Sequence, residues 1–257
     1  FTHWSLFGQI VIICMIQIGG LGFISIGLIL AVLLGRKVSL RHRGLMQESV
    51  NTLQIGGIVK LTKKMITGTL IFEGIGATIL AIRFSFMMSP GRAIFYGIFH
   101  SISAFCNAGF DLLGCYGEYN SLCGFEGDWV INLTISALVI IGGLGFVVWD
   151  DISRNRFKIK RYRLHSKIVL AVTAFLLVAG TILFMMFEWN NTMADMDAPT
   201  RFLASFFSSV TPRTAGMNSV DTGALTPASK LLTMILMFIG GSPGSTSGGA
   251  KTTTIFV

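Results

Sequence analysis

Two short segments of this 257-residue chain hold residues suited to binding a cation without any side-chain charge. One reads Cys106-Asn107-Ala108-Gly109-Phe110-Asp111 and the other Thr211-Pro212-Arg213-Thr214-Ala215-Gly216-Met217-Asn218. Each follows a short apolar stretch, AIFYGIFHSISAF at 93–105 and RFLASFFSSV at 201–210. Ten to fourteen apolar residues are too few to cross a bilayer and mark a re-entrant half-helix. An extended strand after such a helix leaves its carbonyls unpaired, and carbonyls are ligands for a dehydrated alkali cation. A central glycine permits positive φ and lets successive carbonyls turn toward one axis. The half-helix aims its negative dipole end at the same place. The alternative is an interfacial amphipathic helix followed by an ordinary glycine turn. Finding the pattern twice, at equivalent places, argues against it.

The elements that must position these segments are membrane spans. The chain is 52% hydrophobic and only 12% charged, with a mean hydropathy of +0.71. Soluble domains carry about 25% charged residues, so a soluble enzyme, a disordered chain and a nucleic-acid-binding protein are excluded. Apolar runs predict spans over 1–35, 65–82, 129–149 and 168–187, and a fifth from Leu231. The net charge of +8 reflects sidedness. The connections 36–64 and 150–167 hold 14 of the 20 basic residues. Residues 83–128 and 188–230 hold eight of the 12 acidic ones. Basic connections stay in the cytoplasm, so the glycine-centred segments enter from outside, and anionic lipid is the expected neighbour of the basic ones. No signal peptide is expected, and both ends read as cut from a longer polypeptide.

An internal repeat supports the same plan. Asn107-Ala108-Gly109-Phe110 aligns with Thr214-Ala215-Gly216-Met217 at an offset of 107, which places Ser101 on Ser208. Ile18-Gly19-Gly20-Leu21-Gly22-Phe23 recurs as Ile141-Gly142-Gly143-Leu144-Gly145-Phe146, and Ile239-Gly240-Gly241 is a third version. The unit is helix, half-helix with filter strand, helix. The expected division is a second helix of repeat 1 over 1–35, repeat 2 over 65–149 with its filter at 106–111, and repeat 3 over 168–257 with its filter at 213–218. The filter of repeat 1 and all of repeat 4 lie outside the chain on this reading. The fold class is all-α and polytopic, with helix–pore loop–helix units around a pseudo-fourfold pore.

In the fifth span the sequence runs Gly240-Gly241-Ser242-Pro243-Gly244-Ser245-Thr246-Ser247-Gly248-Gly249-Ala250-Lys251. Glycine costs about 1 kcal/mol and proline about 3 kcal/mol inside a helix, so the span breaks into a polar loop that must face the conduction path. There it would obstruct passage, with Lys251 adding electrostatic repulsion. A glycine-rich linker beyond a shorter helix is the alternative. A phosphate-binding loop is not, because Ala250 stands where that motif needs glycine.

Taken together, SISAFCNAGFD, TPRTAGMNSVD, IGGLGF and FIGGSPGSTSGGAKTTT resemble the TrkH/KtrB/HKT superfamily of potassium transporters, closest to the KtrB-type membrane subunit. The resemblance covers essentially the whole chain. It implies four helix–pore–helix repeats about one pore, with Gly109 and Gly216 as filter glycines and 240–251 as an intramembrane gating loop. It also implies a homodimer, a cytoplasmic ring of nucleotide-binding regulatory subunits of the KtrA/TrkA type, and activation by sodium. Potassium would be held by filter carbonyls alone, with no covalently bound cofactor and no nucleic-acid partner.

Other residues invite competing readings. Glu73 lies inside a span, where an acid is a functional candidate or a paired carboxyl at a helix contact. Arg213 precedes a filter strand and is expected to turn away from the axis. His100 reads as packed core. Cys115 and Cys123 could form a disulfide, or remain thiols, and no Cys/His cluster suggests a metal site. Against carbonyl-lined uptake stand two other functions. An alternating-access transporter would show broken spans in paired positions, whereas only the fifth span is expected to break. An intramembrane enzyme would need a nucleophile and base at depth, and neither His3 nor His100 has an evident partner.

Overall fold

Proline starts three of the helices and glycine stops two. The computed structural model describes residues 3–22, 58–117, 121–156 and 158–256. Helix α1 is Leu6–Leu21 and ends at Gly22, whose φ of 80° only glycine adopts without strain. Helix α2, Ile58–Ser85, is followed by α3, Pro90–Phe105, which opens on a proline. Helix α4, Trp129–Leu144, stops at Gly145 (φ 89°) and is succeeded by α5, Phe146–Asn155. Then come α6, Leu164–Glu188, the short α7, Ala198–Val210, and α8, Pro227–Phe238. A last turn, α9, spans Thr252–Phe256. The secondary structure among the described residues is helical, with one isolated bridge between Ile239 and Ala250.

One expected span is corrected. Residues 129–149 are not a single helix, because the chain bends by 95° between α4 and α5. The break falls on the second copy of IGGLGF, and α1 stops at the same glycine of the first copy. Helices α2 and α6 are long and apolar enough to cross a membrane, whereas α1 and α8 are shorter apolar helices. The first expected span continues past Gly22 into residues 23–35, which lie outside those described, as does most of the basic connection 36–64.

Packing follows small residues. Helix α2 lies against α3 at Gly97, where a Cβ would stand 2.6 Å from the Ala77 carbonyl oxygen. Helix α6 meets α7 at Gly180, where a Cβ would be 2.3 Å from Ser209 Oγ. The main core gathers Leu80, Phe84, Phe99, Phe105, Ile131, Ile135 and Phe207, all essentially inaccessible. Ile71 and Ile75 of α2, Phe175 and Val178 of α6, and Met234 and Phe238 of α8 remain exposed. Such an apolar surface suits lipid.

The long helices are fastened at one end by carboxylates. Arg83 at the end of α2 donates to Asp128 at 2.6 Å, and Asp128 caps α4 by accepting the Val130 and Ile131 N–H groups. Glu188 at the end of α6 accepts the Thr226 N–H at 2.9 Å and its hydroxyl at 2.8 Å, just before α8. In the segment between α3 and α4, Cys123 Sγ donates to the Asn218 carbonyl at 3.8 Å. Burial, with the nearby Asp221 and Glu126 charges, pushes its thiol up to about 11. The side chain of Cys115 lies outside those described.

Candidate ion-conduction site

Each short helix delivers a strand whose backbone repeats one unusual pattern. After α3, the Asn107 N–H donates to the Ala104 carbonyl and the Ala108 N–H to Ser103, closing the helix. Asn107 then takes φ 53° and Gly109 φ 76°. After α7, the Ala215 and Gly216 N–H groups both donate to the Thr211 carbonyl, and Thr214 and Gly216 take φ 77° and 81°. Positive φ is tolerable for asparagine but an outlier for β-branched threonine. Thr214 is held there by its hydroxyl, 2.6 Å from Ser247 Oγ.

The residue after each glycine is fastened to the helix behind it. Ser103 Oγ donates to the Phe110 carbonyl at 2.6 Å and accepts the Phe110 N–H at 2.8 Å. Thr211 Oγ1 donates to the Met217 carbonyl. Phe110 and Met217, grouped with the filter ligands by sequence, therefore each spend one carbonyl lone pair on a hydroxyl. The carbonyls of Asn107, Ala108, Gly109, Thr214, Ala215 and Gly216 accept no hydrogen bond among the described residues. Asn107 and Ala215 are buried, Ala108, Gly109 and Thr214 half-buried and Gly216 exposed, so these oxygens border an accessible space in which carbonyls can serve as cation ligands. The strands run side by side: a Cβ on Gly109 would stand 2.1 Å from the Ala215 carbonyl oxygen, and one on Gly216 3.7 Å from Gly109 Cα.

Residues 240–251 lie directly against the base of both strands. Thr246 Oγ1 donates to the Phe105 carbonyl at 2.9 Å and accepts the Asn107 amide at 2.8 Å. Ser247 Oγ reaches Thr214 and also donates to the Arg213 carbonyl at 3.3 Å. The other side of the loop fills the break after α4. The Ser242 N–H donates to Gly143 at 3.1 Å, the Thr246 N–H to Gly142 at 3.3 Å, and the Phe146 N–H to Gly244 at 2.9 Å. Pro243 sits where a Cβ on Gly145 would meet its carbonyl oxygen at 2.8 Å, and Ser245 Oγ donates to the Ser242 carbonyl at 2.6 Å. Gly240 and Gly248 cross so closely that a Cβ on Gly240 would stand 1.9 Å from the Gly248 carbonyl oxygen; Gly249 takes φ 74°. Gly241 accepts the Thr252 N–H. Lys251 Nζ donates to the Ser247 carbonyl at 2.6 Å, which holds its charge against the loop.

The remaining charged candidates flank the strands. Glu73 is buried, with Gln17 Nε2 3.1 Å from Oε2 and Cys106 Sγ 3.8 Å from Oε1. Arg213 turns away from the strands toward Thr173 Oγ1 at 3.5 Å, and its buried Nε has no partner among the described residues. His100 is core, as expected: Nε2 accepts the Leu112 N–H at 3.3 Å, leaving Nδ1 to donate to the Tyr96 carbonyl at 2.7 Å. No cluster of His, Cys, Asp and Glu suited to a metal occurs among the described residues. Sequence reasoning missed Ser103 and Thr211, whose only signal was a hydroxyl placed before each glycine segment. It also aligned Ser101 with Ser208. The bonding places Ser101 opposite Ser209 instead, each hydroxyl donating to the long helix behind it, at the Glu73 and Leu177 carbonyls respectively.

Carbonyls without a hydrogen-bond partner can serve as ligands for a dehydrated cation. The model of the TrkH family, cation transport proteins, matches residues 1–257. The chain belongs to the TrkH family. Among relatives of this TrkH-family chain is the potassium/sodium uptake protein NtpJ of Enterococcus hirae, 41% identical over 98% of this chain and 55% of its own length. Ktr system potassium uptake protein B of Bacillus subtilis is 39% identical over 100% of this chain and 57% of its own. The chain therefore spans little more than half the length of these relatives. The crystal structure of the potassium transporter TrkH from Vibrio parahaemolyticus superposes with a TM-score of 0.62 at 21% identity, over 83% of this chain and 44% of that one. That likeness establishes the fold. The TrkH-family chain is a multi-pass membrane protein of a transport family, not an enzyme.

Proposed function

We propose that this chain forms part of the ion pathway of a potassium uptake system of the Ktr/Trk type. The observation that carries the reading is the pair of strands with alternating positive φ and six unpartnered carbonyls, at Asn107, Ala108, Gly109, Thr214, Ala215 and Gly216. Potassium sheds its water onto these oxygens, and the negative ends of α3 and α7 favour a cation over an anion. Phe110 and Met217 hold the outer register. The loop 240–251 is the gate, because its hydroxyls close on the inner end of both strands. In this reading the protein divides into the repeats set out from its sequence. It works as a homodimer beneath which nucleotide-binding regulatory subunits dock, and sodium activates it. The relatives named above are themselves potassium uptake proteins.

The test is rubidium uptake into vesicles containing the protein. Removing residues 244–249 should raise uptake at unchanged protein level, because the obstruction is gone; unchanged or lower uptake would defeat the gate assignment. Alternating access gains one observation, since spans break in paired positions, after α4 at Gly145 and after α8 at Ile239. It predicts that external rubidium accelerates rubidium efflux at zero membrane potential, and the pore reading predicts no acceleration.

A further inference from the structure

Glu73 is the one acidic side chain inside α2, and carbonyl coordination makes no use of it. Its surroundings are built. Only 5% of it is exposed. Gln17 of α1 donates to one carboxyl oxygen at 3.1 Å, and Cys106 approaches the other at 3.8 Å. Cys106 is the residue that ends α3 and begins the Asn107–Gly109 strand. It is pinned from the far side by α1, where Gly20 leaves so little room that a Cβ would stand 2.5 Å from the Cys106 sulfur. The Glu73 backbone carbonyl meanwhile takes the Ser101 hydroxyl at 2.7 Å. One residue of α2 thus holds the last turn of the short helix at two points and joins it to α1.

The equivalent place beside the second strand is furnished differently. Ser209 donates to the Leu177 carbonyl at 3.0 Å, so Leu177 stands where Glu73 does, and Arg213 stands where Cys106 does. The strand at 214–216 is seated by Arg213 reaching Thr173 and by Thr214 on Ser247, with no carboxyl bonded to either among the described residues. The acid is therefore no general requirement of the helix pair. It serves the first strand alone.

We propose that Glu73 is a positioning residue for the Asn107-Ala108-Gly109 strand, fixing the Cys106 pivot against Gln17 so that the three carbonyls keep the spacing of the favoured ion. The assignment rests on the conduction reading of those carbonyls. Residues that orient ligands from behind change ion binding by about ten-fold when lost.

The test compares Glu73→Leu, which installs the side chain of the second strand, with Glu73→Gln, which keeps an acceptor for Cys106 and offers a donor to the unpartnered Gln17 Oε1. In vesicles, Glu73→Leu should lower the rubidium-over-sodium uptake ratio about ten-fold. Glu73→Gln should stay within about two-fold of the unaltered protein. Gln17→Leu combined with Glu73→Leu should lower the ratio no further than Glu73→Leu alone, because both act through one contact. A readout independent of transport is modification of Cys106 by N-ethylmaleimide, located by mass spectrometry. It should speed up in Glu73→Leu and stay slow in Glu73→Gln. Unchanged Cys106 reactivity in Glu73→Leu, or equal loss of ion preference in both variants, overturns the assignment. Faster reactivity with no change in ion preference upholds the pivot and overturns the conduction reading of the strand.

Discussion

The two glycine-centred strands share a backbone and differ in almost everything that holds it. Both place positive φ at the glycine and two residues before it, and both bolt the residue after the glycine to a hydroxyl of the preceding helix or its cap. Around the first strand the pattern is comfortable: asparagine tolerates its φ, and a carboxyl, a thiol and an amide pack behind it. Around the second, a threonine is held in a conformation it resists, next to a buried guanidinium with an unpartnered nitrogen. Strain of this kind persists only where neighbours over-determine it. The lesson is that carbonyl direction is the shared requirement, and each strand meets it with its own local chemistry.

That difference can be tested from its strongest consequence downward. Gly109→Ser should abolish rubidium uptake, a loss of roughly a hundred-fold, because the new Cβ would overlap the Ala215 carbonyl and push the strands apart. Uptake near the unaltered level would show that the strands are not adjacent. Gly216→Ser meets ordinary contact at 3.7 Å and only the strain of a positive φ, roughly 1 kcal/mol. Uptake should survive, with the potassium preference over sodium weakened about five-fold; a loss as deep as that of Gly109→Ser would erase the asymmetry. The smallest effects belong to the loop. Thr246→Ala frees the first strand and Ser247→Ala the second, and each should raise uptake about three-fold by removing the two hydrogen bonds that its hydroxyl makes. If neither changes uptake, the hydroxyls do not tie the gate to the strands.

Much of this was legible in the sequence. The short helices could be read because ten to thirteen apolar residues ahead of a glycine segment are too few to cross a bilayer; their first turns, from Pro90 and Ala198 rather than 93 and 201, could not. The loop could be read because five glycines and a proline between Gly240 and Gly249 cannot continue a helix. The break after α4 could not. IGGLGF is apolar throughout, and its glycines only weaken a helix. What breaks it is a partner about a hundred residues away: Ser242, Thr246 and Gly244 take up the carbonyls and the N–H that the interruption leaves open. The pairing of Thr246 with Asn107 was hidden for the same reason, since neither residue's neighbours announce the other. Charge was harder still. The sequence shows that Lys251 carries a positive charge next to the loop, and only the fold shows that its ammonium donates to the Ser247 carbonyl.

The Phe146–Gly244 hydrogen bond ties two bodies that the sequence keeps far apart. Helix α5 starts at that bond, and its other flank carries Asp150, bridged to Lys64 of α2 at 3.0 Å, and Asp151, which accepts the Arg163 N–H at 2.8 Å ahead of α6. The short helix thus links the glycine-rich loop at one end to the Lys64 ion pair and the start of α6 at the other, so that neither end can shift far without breaking one of these contacts.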